Sequence, residues 1–212
     1  GLNMSDEFKI SLAQLNATVG DLSGNTQKVM EAWEIARDQR SDLIAFPELF
    51  ITGYNPQDLI LKTAFQKAAT SSIDQIAKAC AQGPAIAIGG PFYDENKLYN
   101  SYYILADGKI QAVIKKHHLP NEEVFDEVRL FSSGNVDGPF QIGKMRIGSP
   151  ICEDAWHTDI VETLAETGAQ TLLVPNGSPY YRGKTEIRQN VMVSRVIESG
   201  LPLGYLNLVG GQ

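Results

Sequence analysis

The sequence predicts an α/β protein built around a mixed sheet. Short apolar runs with strand character alternate with amphipathic helical segments, and two pairs of strands are joined directly by turns. The alternation is typical of parallel strands covered by helices, while the direct turns add antiparallel hairpins. The 212 residues, 43% of them hydrophobic, contain no linker-like segment and indicate a single domain with a sizeable core.

The first part of the chain predicts strands and helices in alternation. Pro47 is expected to end one buried strand, and Gly89-Gly90-Pro91 is expected to end the next. The elements predicted there are a strand at 8–12, a helix from Asn25 to about Arg40, a strand at 43–46, a helix at 65–81 and a strand at 85–88.

The second part of the chain predicts hairpins before the helices return. Asp107-Gly108 and Gly143-Lys144 are the expected hairpin turns, because small and polar residues there separate strand-like runs. The elements predicted there are strands at 100–106, 110–114, 140–142 and 145–151, a helix at about 159–167, a strand at 171–174, a helix at about 184–199 and a strand at 203–209.

Composition and charge exclude several classes of function. The formal net charge of −7 and the pI near 5.0 leave no basic footprint for nucleic acid. No apolar run approaches the length of about 18 residues that a membrane helix needs, and the first residues do not resemble a signal peptide. Two cysteines are too few for a disulfide framework. We therefore expect a cytoplasmic protein without nucleic-acid or membrane partners.

Three predicted strands end beside polar or reactive side chains. They end in Phe46-Pro47-Glu48, in the segment 149–154 and in the segment 174–178. Each segment carries a proline, which holds the preceding residue extended and stiffens the exit from the strand. Ligands of open α/β sheets bind beyond the carboxyl ends of the strands. The sequence therefore predicts a site where these three ends meet.

Cys152 is the candidate nucleophile of this site. A thiol with a pKa of about 8.5 is only slightly ionised at neutral pH, so it needs an activating group. His157 is too close in the sequence for a papain-like pairing, but Glu48 can act as the base while a lysine stabilises the developing charge. The alternatives are that Cys152 is an inert packed thiol and that Glu48 turns outward into solvent.

Lys115 and Lys116 end the strand of a predicted hairpin, beside His117 and His118. Neighbouring side chains on a strand point to opposite faces, so only one of the two lysines can enter the site. The same divergence applies to the histidines, and no further cluster completes a coordination set. No metal site is predicted.

These segments resemble the nitrilase, or carbon–nitrogen hydrolase, superfamily, whose Glu, Lys and Cys motifs occur in this order. The likeness is closer to the glutaminase domains of bacterial glutamine-dependent NAD synthetases and runs from about Ile10 to the last residue. The matching segments are Phe46-Pro47-Glu48-Leu49, the stretch 52–59, Lys116-His117-His118-Leu119-Pro120, Val124-Phe125-Asp126-Glu127, the stretch 149–156 and Val209-Gly210-Gly211-Gln212.

The resemblance implies an αββα sandwich with mixed sheets and an amidase that needs no cofactor. Cys152 would attack the side-chain amide of L-glutamine and form a glutamyl thioester, with Glu48 as the general base. Lys116 would stabilise the oxyanion, and Glu127 would be the supporting acid. Ammonia would be released before water frees glutamate.

The resemblance also implies a substrate pocket. Glu153 would meet the α-amino group of glutamine, while Ser178 and Lys184 lie in the stretch that borders the pocket in the family. Glu122 stands where the family often has tyrosine, at the mouth of the pocket. An acid at that position would alter glutamine contacts or entry, so it bears on substrate specificity.

The resemblance further implies that residues 1–212 are a glutaminase domain that is incomplete at its C-terminus. An ATP-dependent synthetase domain, with ATP and Mg²⁺, is expected in the same full-length chain and would amidate nicotinic acid adenine dinucleotide. A homo-oligomer is expected as well. The alternatives are a stand-alone amidase for another small amide and a catalytically silent assembly module.

Overall fold

The computed structural model describes residues 7–119, 127–177, 186–193 and 205–207. For Glu7, Trp156 and the last two of these ranges it describes the backbone alone. Within these parts of the chain, no helix combines the length and the apolar character needed to cross a membrane.

Six strands form the first sheet, in the spatial order β5-β4-β3-β2-β1-β9. Strands β1, β2 and β3 run parallel, and the other three pair antiparallel with their neighbours. The bounds are β1 Glu7–Gln14, β2 Leu43–Ala45, β3 Ala85–Asp94, β4 Lys97–Ala106, β5 Lys109–Lys115 and β9 Glu186–Val193.

Four strands form the second sheet, in the order β10-β8-β7-β6. Strands β7, β8 and β10 run parallel, and β6 joins β7 as an antiparallel hairpin. The bounds are β6 Phe140–Ile142, β7 Met145–Gly148, β8 Thr171–Val174 and β10 Tyr205–Asn207.

The helices cover the outer faces of the two sheets. Helices α1 (Leu22–Asp38) and α2 (Thr63–Ala79) pack on the first sheet, and α4 (Thr158–Glu166) packs on the second. The inner faces meet in one apolar layer, to which the first sheet contributes Tyr102 and the second Ile147. The layers therefore follow the order helix, sheet, sheet, helix, as the resemblance implied.

The start of α1 differs from the prediction. The helix begins at Leu22, and the carboxylate of Asp21 caps it by accepting from Gly24 N–H at 2.9 Å. Asn25 is instead fully buried, and its amide Nδ2 donates to the carbonyls of Thr18 and Ile51. The predicted cap residue thus fixes the loop before the helix.

One predicted strand end and one predicted helix were wrong. Strand β3 continues through Gly89-Gly90-Pro91 to Asp94, because the short β2 leaves that stretch free to pair with β4 alone. The helix expected at 184–199 is a strand over Glu186–Val193, which pairs antiparallel with β1 along its whole length. Short helices at Gln57–Leu61, Cys152–Trp156 and, as α3, Glu127–Leu130 were not predicted.

Candidate active site

Three predicted site residues meet in a buried ion-pair network. The Lys116 ammonium lies 2.7 Å from Oε2 of Glu48 and 2.8 Å from Oε1 of Glu127. All three residues are at most 1% exposed. Buried charges of this kind are stable only when they are paired and hydrogen-bonded. One ammonium between two carboxylates meets that condition.

The backbone around Glu48 crosses closely over β3. A Cβ atom on Gly89 would collide with the backbone nitrogen of Leu49, so only glycine permits this approach. Ile51 N–H donates to the Gly89 carbonyl at 3.1 Å, and the Tyr102 hydroxyl donates to the Phe46 carbonyl at 2.8 Å. These contacts fix the position at which the Glu48 side chain leaves the sheet.

The alternation of β5 separates the two lysines. Lys116 is fully buried, whereas Lys115 lies half-buried with its ammonium 5.6 Å from the centre of the Tyr99 ring. The backbone of Lys116 is held on both sides, because its N–H donates to the Asn100 carbonyl and its carbonyl accepts from Gly134 N–H. Lys116 is therefore the lysine that joins the network.

Asn100 of β4 completes the network and was missed by the sequence analysis. Its amide Nδ2 donates to Oε2 of Glu48 at 3.0 Å and to Oε2 of Glu127 at 3.2 Å. The side chain is fully buried. The available signal was an amide side chain in a predicted strand, because a polar group that becomes buried is costly unless it is hydrogen-bonded.

Cys152 begins the short helix that follows β7, at a backbone φ of +47°. Non-glycine residues in this left-handed region are uncommon and often occur at functional sites. The conformation is held by the Cys152 N–H, which donates to the Pro175 carbonyl at 2.9 Å. The Cys152 thiol lies 3.4 Å from Oδ1 of Asn176, which follows β8 and was also missed as a site residue.

The electrostatics keep the Cys152 thiol protonated at rest. Burial raises the pKa of the thiol, and the charge of Glu48 raises it further. The charge of Lys116 lowers the pKa, but by less than burial and Glu48 raise it. Burial and the charge of Glu48 also raise the pKa of Glu127 to about 7, against the lowering effect of Lys116. Because the pKa of the Cys152 thiol is raised, the thiolate is not populated in the resting site, and the thiol must lose its proton as it attacks.

The network leaves two groups available for chemistry. Glu48 Oε1 is buried and has no hydrogen-bond partner among the described residues, while Oε2 is held by Lys116 and Asn100. Desolvation alone would lower the pKa of Lys116, but the charges of Glu48 and Glu127 outweigh it and raise the pKa. The site thus holds a free carboxylate oxygen and a permanent cation near a thiol.

A protein-family model matches most of the chain. The carbon–nitrogen hydrolase family model matches residues 9–212. The chain belongs to the carbon–nitrogen hydrolase family.

Relatives of this carbon–nitrogen hydrolase are named as synthetases. It is 52% identical over 209 residues to a glutamine-dependent NAD(+) synthetase of Rhodobacter capsulatus, and the match covers 99% of this chain. It is 38% identical to the enzyme of that name from Xanthomonas campestris, over 97% of the chain. Each match covers 38% of the relative, so the chain spans well under half the length of these proteins.

Solved structures share the fold. The glutamine-dependent NAD+ synthetase of Acinetobacter baumannii matches with a TM-score of 0.78 and 36% identity, over 84% of this chain and 34% of that one. A Nesterenkonia amidase of the nitrilase superfamily matches with a TM-score of 0.70 and 24% identity, over 80% of this chain and 65% of the other. The predicted nitrilase-type sandwich is confirmed.

Tyr54 packs beside the network of this carbon–nitrogen hydrolase. A Cβ atom on Gly177 would collide with the Tyr54 ring, so this part of the site is closely packed. Burial raises the pKa of Tyr54, and the charges of Glu48 and Glu127 raise it further. The Tyr54 hydroxyl therefore stays neutral and adds no charge to the network.

The predicted pocket residues are only partly described. Glu153 is half-buried, with Oε1 at 3.6 Å from Nε2 of His157, and its charge contributes to raising the pKa of Cys152. Glu122, Ser178 and Lys184 lie outside the described residues.

Three side chains outside the network also meet. His118, His157 and Asp159 each offer a potential ligand atom, and these atoms lie within 4.8 Å of one another. The rings of His118 and His157 stack with centroids 3.5 Å apart and planes 11° apart. The in-plane lone pairs of stacked rings run side by side and do not converge, so this arrangement offers the two histidines no shared metal position. The absence of a metal stays a prediction.

Proposed function

We propose that this chain is a glutaminase that hydrolyses the side-chain amide of L-glutamine through a Cys152 thioester. The observation that carries the proposal is the Lys116 ammonium held between Glu48 and Glu127, within electrostatic range of a thiol at a strained backbone position. A thiol, a base and a cation are the groups that acyl transfer from an amide requires.

In the first step, Glu48 takes the thiol proton as the Cys152 sulfur attacks the amide carbonyl. Oε1 of Glu48 is the acceptor, because Oε2 is already engaged by Lys116 and Asn100. The raised pKa of the thiol makes this transfer simultaneous with attack, so a separate thiolate does not accumulate. The product is a tetrahedral adduct with one negative oxygen.

Lys116 stabilises that oxygen. An ammonium has three N–H donors, and Glu48 and Glu127 occupy two of them. The third can donate to the oxyanion without reorganising the network. Collapse of the adduct breaks the carbon–nitrogen bond, and the proton held by Glu48 passes to the leaving nitrogen, so ammonia departs and the acyl group stays on sulfur.

Water completes the cycle. Glu48, again a carboxylate, takes a proton from water as the oxygen attacks the thioester carbonyl. The second tetrahedral adduct uses the same Lys116 donor and releases glutamate. The Cys152 sulfur recovers its proton from Glu48, which restores the resting site.

Glutamine is the proposed amide because of the relatives. The proteins of Rhodobacter capsulatus and Xanthomonas campestris are named for a glutamine-dependent synthesis of NAD(+). By analogy, we propose that the ammonia serves an ATP-dependent synthetase domain that amidates nicotinic acid adenine dinucleotide, with ATP and Mg²⁺ bound there. We further propose a cytoplasmic homo-oligomer in which Glu153, Ser178, Lys184 and Glu122 contact glutamine.

The test is covalent labelling with a diazoketone analogue of glutamine, read as intact mass. The protein is purified together with any sequence that naturally precedes or follows residues 1–212. We expect one adduct, its loss in Cys152→Ala and protection by excess glutamine. Cys80→Ala is the matched control, because Cys80 is buried on the face of the first sheet that α1 and α2 cover. The Cys80→Ala variant should be labelled to the same extent as wild type.

A parallel assay measures glutamate and ammonia from glutamine and from other small amides. Turnover of glutamine alone supports the proposal. Turnover of another amide with no protection by glutamine would favour a stand-alone amidase. An unlabelled, inactive but folded protein would favour an assembly module.

A further inference from the structure

Asp154 lies in the short helix that begins with Cys152 and is only 3% exposed. Its Oδ1 accepts from His118 N–H at 2.6 Å and from His117 N–H at 3.2 Å. Its Oδ2 accepts from His117 N–H at 3.1 Å and, more weakly, from Ile151 N–H at 3.4 Å. One buried carboxylate therefore receives three backbone N–H groups.

These hydrogen bonds join two separate parts of the site. His117 and His118 follow Lys116 directly, at the end of the first sheet, whereas Asp154 is two residues beyond Cys152, at the end of the second. The Asp154 side chain is hydrogen-bonded both to the backbone that follows Lys116 and to the turn that carries Cys152. The Asp154 carboxylate therefore sets how far apart these two segments lie.

A carboxylate is suited to this position because it accepts hydrogen bonds at both oxygens and donates none. Burial raises the pKa of Asp154, and the N–H groups of His118 and His117 act against that rise. An asparagine of the same size would turn an N–H₂ group toward backbone donors. It would keep the bond to one segment and lose the bond to the other.

We infer that Asp154 is a positioning residue that holds the Cys152 thiol in register with Lys116 for attack on the amide. The inference rests on the proposed function, since it concerns the same nucleophile and cation. Asp154 touches neither the substrate nor the reacting atoms. Its removal displaces the thiol relative to the oxyanion donor, and a displacement of about 1 Å can lower a rate by about 10²-fold.

The test compares Asp154→Asn with Asp159→Asn in the purified protein with its natural flanks. Asp159 makes the matched control, because it is exposed, lies five residues further along the chain and undergoes the same loss of charge. Asp154→Ala is the second variant, which removes the acceptor without adding a donor. For each variant, active sites are counted by labelling with the diazoketone, and kcat per labelled site and KM are measured.

We expect kcat per site to fall about tenfold to 10²-fold in both Asp154 variants, with KM within about threefold of wild type. Asp159→Asn should match wild type. Alkylation of Cys152 by iodoacetamide, measured across the neutral pH range, should be slower in both Asp154 variants than in wild type and unchanged in Asp159→Asn.

Two results would overturn the inference. If only the number of labelled sites and the melting temperature fall, while kcat per site is unchanged, Asp154 has a structural role alone. If alkylation by iodoacetamide becomes faster in the Asp154 variants, Asp154 acts through its charge, because loss of a nearby negative charge lowers the pKa of a thiol. Iodoacetamide needs no glutamine pocket, so this comparison stands even if wild type proves unable to hydrolyse glutamine.

Discussion

Replacing Glu127 by glutamine should flatten the pH dependence of stability. Glu127 is fully buried, and its pKa is raised from 4.5 to about 7. The folded protein therefore keeps this proton over a pH range in which the unfolded chain releases it. The resulting gain in the free energy of unfolding is complete below the pKa that Glu127 has in the unfolded chain. It is lost as the pH rises through the pKa that Glu127 has in the folded protein.

The size of this effect follows from the shift. At about 1.4 kcal/mol per pKa unit, the rise from 4.5 to about 7 corresponds to about 3 kcal/mol. Relative to Glu127→Gln, the wild-type free energy of unfolding should thus fall by about 3 kcal/mol between pH 4.5 and about pH 8. The amide keeps the hydrogen bond to Lys116 and disturbs the one from Asn100, which lowers the variant's stability by a constant amount at every pH.

The assay is urea unfolding of both proteins across this pH range. The difference between the two free energies removes every titration that they share. Glu162→Gln, which removes an exposed glutamate, should follow the wild-type curve. Parallel curves for wild type and Glu127→Gln would refute the reasoning, because they would show that Glu127 ionises in the folded protein as it does in the unfolded chain.

Three further predictions concern the cation, the backbone and the nucleophile. Lys116→Met should lower glutamine turnover by about 10² to 10³-fold through loss of the oxyanion donor, while Lys115→Met stays near wild type in the same ammonia assay. Gly89→Ala should lower the free energy of unfolding by about 2 kcal/mol or more, because its Cβ meets the Leu49 backbone. Gly138→Ala should change it little in the same urea titration, because a Cβ there makes only an ordinary contact with Oγ1 of Thr167 at 3.9 Å. Alkylation of Cys152 by iodoacetamide should accelerate continuously with pH through the neutral range, since its thiol pKa is raised, and a rate that levels off below neutral pH would contradict this.

Much of the fold was predictable because its pattern is local. Pro47 and the turn Asp107-Gly108 mark a strand end and a hairpin within a few residues, and the structure has both. The segment 186–193 was predicted as part of a helix at about 184–199, but its pairing with β1 makes it a strand. That outcome depends on a partner about 180 positions away, which local periodicity does not report.

The candidate site divides in the same way. Glu48 and Cys152 were predicted as candidates because each follows a proline at a strand end, where ligands of α/β sheets bind. Asn100 and Asp154 were missed because their importance lies in partners that are remote in sequence, 52 residues away for Asn100 and Glu48. A polar residue inside a strand shows that it needs a partner without showing which one.

The site lies across the joint between the two sheets, with Glu48 and Lys116 at the ends of first-sheet strands and Cys152 beyond a strand of the second. On the proposed mechanism, a small sliding of one sheet over the other misaligns base and nucleophile even when each sheet stays intact. On that mechanism, the packing of the apolar layer between the sheets, including Ile147, sets the relative position of base and nucleophile and therefore affects the rate of turnover. Conservative substitutions in this apolar layer should lower the catalytic rate even where they leave the melting temperature unchanged. The rate would then report small changes in the packing of the two sheets.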